Sequence, residues 1–275
     1  MNASVSPQKV VLVTGASSGI GQCIAAYLAA CGYRVFGTSR SGAALPDAAD
    51  VTMLVMDVDD DASVARAIAA LLQQAGRLDA VINNAGWALM GPIEETSMAE
   101  AREQMETNFF GLLRVCRAVL PILRGQSSGH IVNISSLGGV FGMPYSGLYS
   151  ASKFAVEGLS ESLRLETRRL GVKVVLIEPG DTQSQLPLKR REVQATGERS
   201  PYRSSYERFK AQQARDEAKA PTAHAVAALV ERVLRHPNPA LRHSVAKLDQ
   251  RMVPFLKRLL PQRWFEALVG DAMGV

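Results

Sequence analysis

Residues Lys9–Gly32, KVVLVTGASSGIGQCIAAYLAACG, decide the fold. Lys9–Thr14 (KVVLVT) is an apolar, β-branched run, which suits a strand covered on both faces. It passes directly into Gly15-Ala16-Ser17-Ser18-Gly19-Ile20-Gly21. An apolar-periodic helix then runs from about Ile20 to Ala30 and stops near Gly32. Strand, glycine turn and helix are the parts of a phosphate cradle. Glycines let the backbone come close to a pyrophosphate, and the helix N-terminus supplies unpaired N–H groups and positive partial charge. The spacing is GxxxGxG, not the GxGxxG fingerprint of many dehydrogenases. A purely structural strand–helix turn could use the same residues, so the rest of the chain decides.

The alternation continues outward from this stretch. Tyr33–Thr38 reads as a second strand and ends in Ser39-Arg40. A site preferring NAD places an acid about 20 residues past the glycines for the ribose 2′-OH. A hydroxyl and a guanidinium stand here instead, and an Arg can pair with a 2′-phosphate. Val51–Met56 is a third strand and ends in Asp57-Val58. Asp57 can accept from an adenine amine or cap the next helix, a role for which Asp59–Asp61 compete. Asp61–Gly76 is an amphipathic helix. Leu78–Asn83 is a fourth strand and runs into Asn83-Asn84-Ala85-Gly86, whose buried amides need partners and could pin strands or line a cofactor floor.

Thr96–Leu123 is helical in pattern, with Asn108 inside it, where Asn is a poor helix former. Asn108 is either satisfied locally or bends the helix and holds a water. Gly129–Ile134 is a fifth strand. Leu148–Leu170 is a helix ended by Gly171. Val172–Ile177 is a sixth strand and leads to Glu178-Pro179-Gly180-Asp181-Thr182. The pattern predicts an α/β fold with a doubly wound parallel sheet, every motif lying at the carboxyl end of a strand, where ligands bind in such sheets.

The chemistry concentrates in Ser135–Lys153, SSLGGVFGMPYSGLYSASK. On a helix, Tyr149 and Lys153 share a face one turn apart. A free phenol titrates near 10 and a fixed ammonium nearby lowers that value. Ser136, across a Gly- and Pro-containing loop, can fold back over the same point. Tyr, Lys and a hydroxyl together form an acid–base set for carbonyl or alcohol chemistry. The same pair also suits an ordinary helix, with Tyr packed and Lys in water.

Composition narrows the class. The chain has 275 residues, 47% of them hydrophobic, and a net charge of +5. That is enough for an ample core and too mildly basic for nucleic acid. Cys23, Cys31 and Cys116 form no CxxC pair, which predicts reduced thiols and no metal site. No apolar stretch reaches the roughly 18 residues of a membrane span, and the N-terminus lacks a signal-peptide core. The expectation is a cytoplasmic protein with no transmembrane segment.

Taken in order, Thr14-Gly15-xxx-Gly19-x-Gly21, Asn83-Asn84-Ala85-Gly86, Tyr149-xxx-Lys153 and Pro179-Gly180 resemble the motifs of the short-chain dehydrogenase/reductase family, over about residues 9–182. The resemblance implies a Rossmann-type fold and NADP(H)-dependent interconversion of an alcohol and a carbonyl. It implies a catalytic tetrad of Asn108, Ser136, Tyr149 and Lys153, with Ser136 preferred to Ser135 for its spacing to Tyr149. Tyr149 would donate or remove the proton, Lys153 would lower the Tyr pKa and bind the nicotinamide ribose, Ser136 would polarise the substrate oxygen, and Asn108 would position a water. It further implies cofactor contacts from Gly15, Ser17, Ser18, Gly19, Ile20, Gly21, Ser39, Arg40, Asp57, Val58, Asn84, Ala85, Gly86, Tyr149, Lys153, Pro179, Gly180 and Thr182. Many relatives place that Thr a few residues further on, and Ser184 is also in reach.

By the same resemblance, residues 183–220 form a mobile helical lid over the substrate. Lys189-Arg190-Arg191 and the aromatics Tyr202, Tyr206 and Phe209 lie in it. Thr222–Arg235 reads as an amphipathic helix and Ala240–Val245 as a seventh, edge strand. Arg251–Val269 mixes an apolar face with basic flanks, which suits packing on the sheet or a peripheral contact with a membrane surface. The whole is expected to be one domain, with residues 221–275 as a C-terminal extension. The tail is similar to relatives acting on steroids and retinoids, pointing to a lipophilic small-molecule substrate. Apolar residues on more than one face of Thr107–Leu123 and Leu148–Leu170 predict a homodimer or homotetramer. A non-catalytic nucleotide-binding sensor on the same fold is the competing reading, and sensors commonly lose the Tyr or Lys kept here. An epimerase or dehydratase acting on nucleotide sugars is a third, and its GxxGxxG turn is absent.

Overall fold

In the computed structural model, which describes residues 8–45, 48, 50–183 and 190–275, the strands are all parallel to their neighbours. They are β1 Val10–Val13, β2 Arg34–Ser39, β3 Val51–Val55, β4 Ala80–Asn83, β5 Ala88–Met90, β6 Gly129–Ile134, β7 Val172–Pro179, β8 Arg190–Glu192 and β9 Arg242–Val245. Seven of them form one sheet in the order β3-β2-β1-β4-β6-β7-β9, and β5 pairs with β8 apart from it. The strand order reverses between β1 and β4, so their carboxyl ends diverge and open a crevice.

Period-two alternation decides which helices cover which face. Val11 and Val13 point to one side, where α1 (Gly19–Ala30) and α7 (Ala223–Arg235) bury Ile24, Leu28, Val226 and Val230. Val10 and Leu12 point to the other, against Leu71 of α2 (Asp61–Ala75) and Val115 and Val119 of α4 (Leu112–Gly125). Each such side chain contributes about 1.5–3 kcal/mol of burial. The predicted α/β sheet is therefore the observed one.

The long helix expected over Thr96–Leu123 is not continuous. Ser97 and Glu100 form a capping box that starts α3 (Met98–Met105), and a π turn over Glu106–Gly111 separates it from α4. The capping box starts the helix two residues after the expected Thr96. Of the two alternatives left open for Asn108, local satisfaction and a bend in the helix, the π turn supplies the bend and the amide is also satisfied locally.

Helix α5 (Gly147–Thr167) carries Tyr149 and Lys153. In the tail, α6 (Arg203–Glu217) lays Tyr206 and Phe209 on Tyr145 and Met90. The scattered aromatics are thus anchors, and β8 and α6 are packed on the body of the protein. Ser184 and Lys189 lie outside the described residues. The apolar C-terminal stretch is two helices, α8 (Leu248–Leu259) and α9 (Gln262–Met273). Pro261 separates them, because it lacks an N–H and holds Leu260 extended.

Candidate active site

The glycine turn is clamped from the neighbouring strand. Asn84 donates from Nδ2 to the carbonyls of Thr14 at 2.9 Å and Gly15 at 3.2 Å. Thr14 Oγ1 accepts from the main-chain N–H groups of Asn84 and Ala85, both at 3.0 Å. This packing leaves no room at Gly21, where a Cβ would lie 2.3 Å from Asn84 Nδ2 and 2.4 Å from the Gly15 carbonyl. Gly19 is different: its φ is +60° and a Cβ there would meet open space. Ser18 caps α1 without a side-chain hydrogen bond, so the first N–H groups of the helix face that space. A phosphate fits such a cradle. Ser17 is exposed at its rim. Asn83, by contrast, pins the sheet, donating from Nδ2 to Asn133 Oδ1 at 2.8 Å.

Beyond the cradle lies a cleft enclosing about 640 Å³, part of it open solvent. Of the residues expected at the site, Ile20, Asn84, Gly86, Ser136, Tyr149, Lys153, Pro179, Gly180 and Thr182 line it. Gly15, Ser17, Ser18, Gly19, Gly21 and Ala85 build the turn at its edge. Ser39, Arg40, Asp57 and Val58 stand further along the same sheet edge, at the ends of β2 and β3. The Ser39 hydroxyl accepts from Gly42 N–H at 2.9 Å, and Arg40 is exposed. Asp57 Oδ1 accepts from Asp59 N–H, and the Val58 carbonyl accepts from Arg114. Thr182 donates from Oγ1 to the Gly180 carbonyl at 3.1 Å.

Ser136 caps the short turn Leu137–Gly139, its Oγ accepting from Gly138 N–H at 3.1 Å. It also lines the cleft with the Tyr149 phenol and works against the effect of burial on that group. Ser135 is 2% exposed, and its N–H continues the sheet by donating to the Ile177 carbonyl. The two serines therefore differ in geometry, and Ser136 is the one set against the phenol.

One expectation needs correction. Lys153 does not bring the Tyr149 pKa below its ordinary value, because burial outweighs it. Its Nζ donates to the Ile134 carbonyl at 2.8 Å and stands 5.7 Å from the centre of the Tyr149 ring. Burial raises the Tyr149 pKa above its ordinary value, opposed by Ser136 and the Arg190 guanidinium. Burial also lowers Lys153 to about 8, against the pull of Glu157. The Asn108 amide is held on both sides within the protein. Nδ2 donates to the Trp87 carbonyl at 2.9 Å and Ser152 Oγ at 3.1 Å, and Oδ1 accepts from Trp87 N–H at 3.0 Å. Both amide protons are used within the protein. The Ser152 hydroxyl in turn donates to the Tyr149 carbonyl at 2.7 Å. Asn108 thus ties the first turn of α5 to the segment after β4.

Sequence reasoning missed Trp87 and Arg190, which also line the cleft. Arg190 arrives there because β8 pairs with β5 in register Ala88↔Arg190, and Glu217 of α6 holds its guanidinium. Both strands have three residues, and β8 reads Arg-Arg-Glu. β5 is apolar but too short to stand out as a strand, and β8 gives no apolar signal. Behind Lys153, Arg242 reaches from β9 to Glu157 at 3.0 Å and Glu178 at 3.2 Å, giving these buried carboxylates a counter-charge.

With this geometry in place, comparison with known proteins gives a consistent picture. Residues 9–195 match the short chain dehydrogenase family model. The chain is 39% identical over 262 residues to a 3-ketodihydrosphingosine reductase of Bacteroides thetaiotaomicron, covering 95% of this chain and 96% of that protein. It is similar to the structure of a short-chain dehydrogenase/reductase from Burkholderia phymatum in complex with NAD (TM-score 0.77, 26% identity, 95% of each chain). It is also similar to ElxO with NADP bound (TM-score 0.71, 27% identity, 86% of this chain and 97% of that one).

Proposed function

Because the chain belongs to the short-chain dehydrogenase family, we propose that it interconverts a lipophilic ketone and its secondary alcohol, or an aldehyde and its primary alcohol, with NADP(H). The observation that carries this reading is the convergence of Ser136, Tyr149 and Lys153 in one cleft that opens beside the glycine cradle. The cradle suits a pyrophosphate, by the open space at Gly19 and the unsatisfied N-terminus of α1. A nicotinamide nucleotide bound there supplies hydride chemistry. The protein's own part is orientation and proton transfer. Ser136 holds the substrate oxygen by its hydroxyl. Tyr149 gives its proton to that oxygen in reduction and takes it back in oxidation. Lys153 sets a positive charge beneath the site, and Asn108, through Ser152, fixes the turn on which Tyr149 stands.

A lipophilic substrate is favoured by the apolar walls, Ile20, Trp87, Ala88 and Ile134. The relative named as a reductase of a keto lipid agrees with this. The direct test is NADPH consumption across steroid, retinoid, aliphatic and quinone carbonyls. No oxidation of NADPH above background with any of them would sink the reading.

The choice of NADP(H) rests on Arg40. It stands exposed at the end of β2 with Ser39 beside it and no acid in that position. A guanidinium–phosphate contact is worth about 1.5–3 kcal/mol. Arg40→Ala should therefore lower kcat/KM for NADPH by roughly 10- to 100-fold and leave NADH nearly unchanged. A wild-type preference for NADH would remove this part of the reading.

We further take the protein to be a cytoplasmic homodimer or homotetramer. No helix among the described residues is long and apolar enough to cross a membrane. Phe110, Phe154, Leu165 and Leu170 are exposed on the π turn, α5 and the turn after it, and such apolar helix faces suit a second copy. Light scattering at micromolar concentration should give at least a dimer mass. A monomer would refute the assembly without touching the chemistry.

A further inference from the structure

Two helices at the end of the chain turn apolar side chains away from the protein. On α8, Leu248, Met252, Phe255 and Leu259 recur every three or four residues along one face. All four are exposed, from 48% at Met252 to 80% at Leu248. The opposite face makes the inward contacts, and they are both apolar and polar: Val253 packs on the cluster of Leu137, Phe141 and Phe265. Gln250 bonds the main chain and carboxylate of Asp181. Lys257 donates from Nζ to the Val140 carbonyl at 2.7 Å. Helix α9 buries Phe265 against Phe141 and Leu137 but leaves Trp264 69% and Leu268 44% exposed, one turn apart. An ordinary surface helix turns a polar face outward, since apolar area in water is unfavourable.

The rim of this apolar surface is basic. Arg251 and Arg258 flank the stripe on the same side of α8, and Arg263 lies in the first turn of α9. All three are exposed, and none is in an ion pair among the described residues.

We propose that α8 and α9 form a docking surface for a bilayer carrying anionic lipid headgroups. The charge complementarity selects this occupant. Arginines at the rim pair with headgroup phosphates, Trp264 suits the boundary between headgroup and acyl chain, and the Leu, Met and Phe side chains enter the acyl region. The position gives the contact a use. Gly180, which lines the cleft, abuts Gln250 of α8, so close that a Cβ on Gly180 would lie 2.5 Å from Gln250 Oε1. A bilayer on the outer face of α8 is one helix away from the cleft, the right place to receive a lipophilic molecule. The docking surface does not depend on the reaction proposed above.

The test uses the full-length protein and vesicles of phosphatidylcholine, alone or with about one third phosphatidylglycerol. The protein should sediment with the anionic vesicles far more than with the neutral ones. Tryptophan emission should shift to the blue, and Trp264→Phe should remove the shift while Trp87 remains. Phe255→Ser combined with Leu259→Ser should weaken binding by about tenfold or more. Arg251→Gln with Arg258→Gln should weaken binding to the anionic vesicles by about tenfold and leave the neutral ones alone. Every substituted residue is exposed, so melting temperatures should match the wild type. Absence of binding to the anionic vesicles would overturn the proposal, as would unchanged binding by the Ser double variant. A wild-type dimer that becomes a monomer in that variant, with no vesicle binding by either, would overturn it in favour of a second copy. Vesicle binding is read without turnover, so an inactive protein that binds would count against the proposed reaction alone.

Discussion

Tyr149→Phe should lower turnover by roughly 10²- to 10⁴-fold, the range that a positioned proton donor contributes. The substitution keeps the ring and its packing and removes only the hydroxyl. That hydroxyl lies in the cleft with Ser136, which works against the effect of burial on it. The glycine cradle and the Asn84 clamp are untouched by it. NADPH binding, followed by quenching of protein fluorescence, should therefore stay within a few-fold of wild type. Turnover within about tenfold of wild type would mean that another acid, such as a water held by Ser136, does the work.

Lys153→Ala should harm both rate and cofactor binding. Lys153 is 7% exposed and its Nζ holds the Ile134 carbonyl, so truncation leaves that carbonyl without its partner in the cleft wall. An orphaned buried acceptor costs about 1–3 kcal/mol, which should appear as a lower melting temperature. Removing the charge also takes a cation away from the Glu157 carboxylate, leaving Arg242 as its remaining counter-charge. We expect kcat to fall by about 10²–10³-fold, comparable with loss of one preorganised electrostatic donor, and the Kd for NADPH to rise. The split separates the two residues: Tyr149→Phe changes kcat alone, Lys153→Ala changes both. Wild-type NADPH affinity in Lys153→Ala would confine the lysine to proton chemistry.

How much of this was legible beforehand depended on the kind of signal each residue left. Strands buried on both faces announce themselves as β-branched runs, so β1 to β4, β6 and β7 were read with bounds near those observed. The glycine turn was legible because its backbone geometry demands glycine at Gly21, where neighbouring atoms fill the space a Cβ would take. Asn108 was recognised as anomalous in a helix, but the π turn that accommodates it left no pattern of its own. Arg190 was seen only as part of a charge run, because its place in the cleft depends on a three-residue strand pairing made far along the chain. The Lys153 geometry was misread for a related reason. Helical spacing brings two side chains to one face, but the carbonyl of Ile134, on another element, decides where the ammonium ends. The polarity of α8 was likewise hidden, since periodicity finds an apolar face without saying which way it points.

The pH dependence of kcat/KM for ketone reduction in the wild type tests the central claim most directly. Burial holds Tyr149 above its ordinary value near 10, so the proton it must donate is present throughout the neutral range. Lys153 titrates lower, at about 8, and loses its charge above that pH. Reduction should accordingly be flat through neutral pH and fall as pH rises past about 8, while oxidation of the alcohol, which needs Tyr149 as a base, should rise with pH. Reduction that instead climbs steadily towards alkaline pH would show that the cleft uses a base where this account requires an acid.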